Sequence, residues 1–271
     1  MTILIGWIGV DNRCSSSAYL MSDSRISWSP EPEAYDCGRK LFALRNHPDI
    51  FGYCGDVMFP SQFLSQICEK DINNILFTEQ ATSADRAVVI LNQLNKQYSA
   101  LPKAHRGNCS IYHISRDIDS AFYAYEYSYN SSIHTWYITN LNTSGFDKST
   151  LIIQAGSGRP AFKQLYERKY ENGDLSGTSR NFYQCLCHFL FNQSEITCGG
   201  PPQLVGLFNG KRFNGMTYGI INEGQRYFCG APCEYTQELE SVRWYNEEFE
   251  ICDGLTMKRM HNAMRQPNPN R

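Results

Sequence analysis

The chain has 271 residues, 42 % of them apolar and 19 % charged, enough to build a sizeable core and too apolar for disorder to be the whole answer. With 25 Lys+Arg against 27 Asp+Glu the net charge is −2, a balance that predicts no nucleic-acid footprint, which needs a clustered basic excess. No apolar run reaches the ~18 residues of a membrane span, so no membrane association is expected. The N-terminus lacks a basic stretch followed by an apolar run and a cleavage site, so no export signal is expected. The 11 cysteines are odd in number and contain no Cys-x-x-Cys pair. They read as reduced thiols in a cytoplasmic protein.

Ile3 to Gly9 is a continuous apolar run, the pattern of a strand buried on both faces. Asp11-Asn12-Arg13 turns the chain into a second strand from about Ala18 to Ile26. Two further strands, Arg39–Leu44 and Asp49–Cys54, flank the turn Arg45-Asn46-His47-Pro48. Phe63, Leu64 and Ile67 lie at helical spacing within 59–67. Thr82-Ser83-Ala84-Asp85 places an acid three residues after a hydroxyl, a helix start. From it Ala84, Ala87, Val88, Leu91, Leu94 and Tyr98 form an apolar stripe that ends before Pro102. Residues 109–141 return to strands, and 151–155 form another, closed by Gly156-Ser157-Gly158. Pro160 opens a helix, and a further helix spans about 179–191. In it Cys185-x-Cys187-His188 reads as core packing rather than zinc, because no second ligand pair accompanies it. Late strands follow at 204–208, 216–221 and 225–229. This order predicts two packed sheets with helices outside, as one domain over 2–256. Residues 257–271, basic and ending in Gln-Pro-Asn-Pro-Asn-Arg, are expected to form a disordered tail.

Four places can carry chemistry. Thr2 is small enough for an aminopeptidase to remove Met1. The new terminus would pair a hydroxyl with an α-amine of pKa about 7.7–8.0, a base at neutral pH. Ser22-Asp23-Ser24-Arg25 puts two charges on one side of a strand, either as an exposed local pair or as a buried carboxylate holding a lysine. Lys40 precedes the apolar Leu41-Phe42-Ala43-Leu44. It is either a strand's exposed rim or an inward cation beside Asp23 that acidifies a nearby hydroxyl or amine. In Gly52-Tyr53-Cys54-Gly55-Asp56 a strand-end glycine lets a substrate approach, and its N–H can bind an oxyanion.

These residues, in this order, resemble the proteasome β-type subunits and the related bacterial proteasome-like peptidase, members of the N-terminal-nucleophile hydrolase superfamily. Thr2, Asp23-Ser24-Arg25, Lys40, Cys54-Gly55-Asp56, Gly156-Ser157-Gly158 and Glu195-Ile-Thr-Cys198-Gly199-Gly200 carry the resemblance, which covers about residues 2–210. It implies an α+β fold, a four-layer αββα sandwich. It implies a threonine endopeptidase in which Thr2 attacks the amide with its own amine as base. Asp23 orients Lys40, Gly55 binds the oxyanion, and Ser157, Glu195 and Cys198 support the amine. Arg25, Ser27 and Tyr53 fall at substrate-binding positions, with Tyr53 shortening the first specificity pocket. The implied chemistry asks for no metal or other cofactor. The implied partners are a peptide or protein substrate, further copies in a homo-oligomeric ring, and an ATPase unfoldase. Three positions depart from the family: Glu195 for Asp, Cys198 for Ser, and Asp56 for a small residue beside the oxyanion glycine.

Two other readings use the same residues. One is an amidase or acylase for small molecules, its pocket shaped by the extra sequence in 109–150 and after 210. The other is an inactive structural ring subunit that keeps Met1. A Cys54 nucleophile with His47 or His113 has no supporting spacing. Gly156-Ser157-Gly158-Arg159 lacks the following Lys and the glycine spacing of a phosphate loop.

Overall fold

The computed structural model describes residues 2–12, 14–28, 33–130, 132–192, 198–210, 214–234 and 242–263. The expected strand at the N-terminus forms β1 (Leu4–Asp11). Its side chains alternate between two cores: Ile3, Ile5 and Trp7 join one cluster, Leu4 and Ile8 another. That alternation explains why the run is apolar at every position. β2 (Cys14–Ser22) pairs antiparallel with β1 from Leu4↔Ser22 to Asp11↔Cys14. The ladder stops at Ser22, so Asp23 and Arg25 lie beyond the strand on which they were expected. β3 (Ile26–Ser27) and β4 (Ala34–Tyr35) form a two-stranded sheet of their own.

β5 (Leu41–Ala43), β6 (Asp49–Gly55), β7 (Cys109–Arg116), β8 (Phe122–Asn130) and β9 (Thr135–Leu141) make a five-stranded antiparallel sheet in chain order. α1 (Met58–Ile72) and α2 (Ser83–Ala100) leave and re-enter it between β6 and β7. α2 begins with the capping box seen in the sequence: Thr82 Oγ1 accepts from the Asp85 N–H, and Asp85 accepts from the Thr82 N–H. Phe63, Leu64, Ile90 and Leu94 from these helices pack with Phe51 and Tyr127 of the sheet.

The large sheet runs β10 (Thr150–Ala155), β1, β2, β11 (Gln203–Phe208), β12 (Met216–Asn222), β13 (Gln225–Phe228) and β14 (Ala231–Pro232). β15 (Trp244–Tyr245) joins β12 in a short parallel pairing, and β16 (Ile251–Cys252) pairs with β15. α3 (Arg159–Leu165), continued by a π-helical turn over Tyr166–Tyr170, and α4 (Ser179–Asn192) pack on Trp7 and Tyr19 through Phe162, Phe182 and Leu186. Cys185 and Cys187 sit in this core beside them. Leu20, Ile50, Ile114 and Val205 from the two main sheets share the remaining large cluster.

The fold class needs correction. The chain does not form a four-layer αββα sandwich: strand makes up 35 % and helix 25 %, in three sheets that are antiparallel but for the β12–β15 pair, with four α-helices among the described residues. The physical reason lies in the stretches without a helical stripe. The Tyr- and Ile-rich 109–141 segment folds as a three-strand meander, and the described residues after 215 add strands, and no helix, to the large sheet. Residues 257–263 are not loose: Arg259 pairs with Glu250 at 3.1 Å and bridges to Cys252, while 264–271 lie outside the described residues. Among the described residues no helix is long and apolar enough to cross a membrane.

Candidate active site

Asp23 is the hub of a buried polar cluster. Leaving the ladder after Ser22 turns its carboxylate inward, and both it and Lys40 are fully buried. Oδ1 accepts from Lys40 Nζ at 2.7 Å and from the Ile3 N–H at 3.1 Å. Oδ2 accepts from the N–H groups of Gly199 at 3.2 Å and Arg25 at 3.3 Å. Burial pushes the Asp23 carboxyl above its ordinary value, against the opposing pull of the Lys40 ammonium and these N–H groups. Of the two alternatives for Ser22–Arg25, the structure forms the buried carboxylate holding a lysine.

The carboxylate reaches Thr2 through its neighbour Ile3. From the other side the Thr2 N–H donates to Ser157 Oγ at 3.3 Å, and the Thr2 carbonyl accepts the Gly158 N–H at 3.1 Å. Gly156 makes this turn with φ +90°, and a Cβ there would overlap the Thr2 carbonyl. Gly55 ends β6 with φ +95°, where a side chain would strike the backbone of Asn108. Thr2, Gly55, Gly156 and Ser157 line one cavity of about 470 Å³. Asp56 follows Gly55, but its Oδ2 accepts the Phe59 N–H at 3.4 Å in the first turn of α1. The helix N-terminus therefore helps to hold this carboxylate.

The structure brings Thr2, Asp23, Lys40, Gly55 and Ser157 together. Cys198 is buried against the same core as Ile3, and Gly199 beside it donates to Asp23. Glu195 lies outside the described residues. The three substrate-binding positions are placed otherwise. Arg25 holds Asp36 with two bonds of 2.7 and 2.8 Å. Ser27 pairs with Ala34 in β3–β4. Tyr53 is fully buried among Phe51, Phe63 and Leu64, and its hydroxyl donates to the Arg39 carbonyl at 3.0 Å. None of the three lines the cavity. Strand alternation is the cause for Tyr53: it shares a face with Phe51, whereas its neighbour Cys54 faces the cavity.

One residue of the cluster went unread in the sequence. Gln203 is buried at the start of β11. Its Nε2 donates to the carbonyls of Asp23 and Gly38 at 3.1 and 2.8 Å, and its Oε1 accepts the Lys40 N–H at 3.0 Å. It ties the Asp23 and Lys40 segments to one strand. The available signal was a polar side chain opening an apolar run, Gln203-Leu-Val, which needs buried partners. His47 and His113 are committed elsewhere. His113 contacts Asp49 at 2.7 Å and Tyr127 at 3.0 Å, and His47 contacts Asp71 at 2.6 Å. Neither forms a dyad with Cys54, whose thiol burial pushes up to about 11. No protein-family model matches the sequence, and no curated protein matches it.

Proposed function

We propose that the chain is a proteasome-like threonine peptidase of the N-terminal-nucleophile type, acting through Thr2 after removal of Met1. The observation that carries this reading is the position of Asp23. One buried carboxylate accepts both the Lys40 ammonium and the N–H of Ile3, next to Thr2, at the edge of a cavity that also contains Gly55. Cleavage of the Met1–Thr2 bond converts the Thr2 amide into an amine beside Ser157. The amine takes the proton from Thr2 Oγ as the oxygen attacks the substrate carbonyl. The Gly55 N–H receives the oxyanion. The ammonium so formed gives its proton to the departing amine as the C–N bond breaks, leaving an ester on Thr2. Water, deprotonated by the same amine, adds to the ester carbonyl; the C–Oγ bond breaks, Thr2 Oγ takes the proton back from the ammonium, and the acid leaves. The Lys40 cation, kept in place by Asp23 and Gln203, favours the negative charge that develops on Oγ.

In this reading the substrate is a peptide or unfolded protein in the cytoplasm. Copies of the chain assemble into a ring, and an ATPase can feed it. The cavity volume of about 470 Å³ also suits a second reading, an amidase for small acyl amides. Hydrolysis of fluorogenic peptides and of small acyl amides by the wild type and Thr2→Ala, with the mass in solution from light scattering, tests both. Thr2-dependent peptide cleavage by a ring supports the peptidase. Thr2-dependent cleavage of small amides alone, by a monomer or dimer, supports the amidase. No Thr2-dependent hydrolysis contradicts both and favours a structural subunit.

A further inference from the structure

The cavity beside Thr2 has a wall that the bond-breaking steps do not use. Cys54, Asn108, Cys109 and Ser110 contribute one part of it, and Ser128 and Tyr129 of β8 the other. None of these side chains is charged at neutral pH. Two carboxylates stand behind it. Glu126 Oε1 accepts from Ser128 Oγ at 3.2 Å and from the Tyr112 hydroxyl at 3.0 Å. Asp56 lies at the start of α1, bonded to the Phe59 N–H. Both are felt at the wall: after burial, Glu126 is the main influence raising the Cys54 thiol, and Asp56 the main influence raising that of Cys109. The Lys40 ammonium, which pulls the Cys54 thiol the other way, is bound to Asp23 at 2.7 Å. Tyr129 gives the wall a rigid end. Its ring packs 4.5 Å from Tyr98 and 5.8 Å from Trp136, and its hydroxyl meets His134 at 3.1 Å.

A neutral group entering here loses little, because thiols, hydroxyls and an amide meet it. A carboxylate would leave water for a wall whose own side chains, Cys54, Asn108, Cys109, Ser110, Ser128 and Tyr129, include no cation, and which has two carboxylates behind it. We propose that this cavity is the pocket for one uncharged side chain or acyl group of the substrate and that it rejects carboxylates. That its occupant is a substrate rests on Thr2 acting as the nucleophile; the charge preference does not.

Thiol labelling separates the two. The full chain is treated with a neutral reagent, methyl methanethiosulfonate, or with its anionic sulfonatoethyl analogue, and modification is followed at each cysteine by peptide mass spectrometry. Exposed Cys14 is the internal reference. The expected neutral-to-anionic rate ratio at Cys54 and Cys109 is at least about tenfold that at Cys14, equivalent to about 1.4 kcal/mol. Glu126→Gln, which keeps an acceptor for Ser128 and Tyr112, lowers the ratio at Cys54 several-fold. A ratio equal to that of Cys14 overturns the proposal, and so does failure of the neutral reagent to label either cavity thiol. In a second arm, cleavage of a mixed peptide library depletes Asp and Glu from one of the two positions flanking the cut. Free cleavage between two acidic residues overturns the proposal. No cleavage, with the labelling ratio intact, defeats the peptidase reading and leaves the pocket's charge preference standing.

Discussion

Replacing Asp23 by asparagine changes one fully buried group while keeping its shape. Five donors converge on the native carboxylate: Lys40 Nζ, the N–H groups of Ile3, Arg25 and Gly199, and Ser22 Oγ at 3.5 Å. Asparagine offers one acceptor oxygen and turns an NH₂ toward the rest. If the oxygen stays with Lys40 and Ile3, the amide faces the N–H groups of Arg25 and Gly199. If it flips, the amide faces an ammonium. Either way Lys40 is left buried without its counter-charge, a loss of about 3–5 kcal/mol in comparable pairs. We expect on the order of 4 kcal/mol, about a thousandfold in the folded-to-unfolded ratio and a large part of a typical domain's stability. Guanidinium denaturation reads this as a lower midpoint at unchanged slope. Lys40→Met costs less, because the remaining Asp23 carboxyl can take a proton and keeps its backbone donors. The double variant is more stable than the sum of the two losses requires. An Asp23→Asn variant within about 1 kcal/mol of the wild type refutes the view that an ionised Asp23 organises the site.

Three further outcomes follow from the same geometry. Gly156→Ala forces a Cβ onto the Thr2 carbonyl at a positive φ, so it costs at least about 1–3 kcal/mol in thermal or chemical denaturation and abolishes the proposed Thr2-dependent hydrolysis. Unaltered activity would show that Thr2 need not sit where it is. Thr82→Ala removes the capping box of α2 and lowers stability by about 1 kcal/mol without altering the proposed hydrolysis, since Thr82 does not line the cavity; a selective loss of that activity would contradict this. The third concerns pH. Burial holds His113 below the ordinary imidazole value of 6.5 despite Asp49. Burial alone would raise Asp49, but its bonds to His113 and the nearby Arg86 hold it below 3.8. Both groups bind protons more readily in the unfolded chain. The contribution of this pair to stability is therefore fully present above about pH 6.5, falls as pH drops through the imidazole range, and falls again below the carboxylate value of 3.8. Denaturation midpoints from pH 8 to 3 check this, and His113→Gln flattens the upper limb. Stability that rises on acidification through the imidazole range would contradict it.

How much of this was legible in the sequence depends on the residue. β1 could be read because burial on both faces leaves an apolar residue at every position, and the start of α2 because Thr82 and Asp85 form a local motif. Asp23 and Lys40 could be paired as alternatives, since a charge beside an apolar strand needs a partner. What decided between them, the chain leaving the ladder after Ser22 and the brace of Gln203, depends on contacts about 180 residues apart in sequence, between Gln203 and Asp23. Tyr53 packs toward α1 and α2 because of the phase of β6 against those helices, which no local pattern reports. Arg25 pairs with Asp36, 11 residues further on, a contact that no local pattern reports. The layered architecture is not legible after 215, where no helical stripe occurs: the described residues there add strands, and no helix, to the edge of the large sheet.

Intact mass spectrometry of the purified chain, before and after a peptide epoxyketone, tests the central claim most directly, because that reagent needs both the hydroxyl and the free amine of an N-terminal threonine. The account predicts a mass lacking Met1 and a single adduct on Thr2, absent in Thr2→Ala. A chain that retains Met1 and takes no adduct would contradict it.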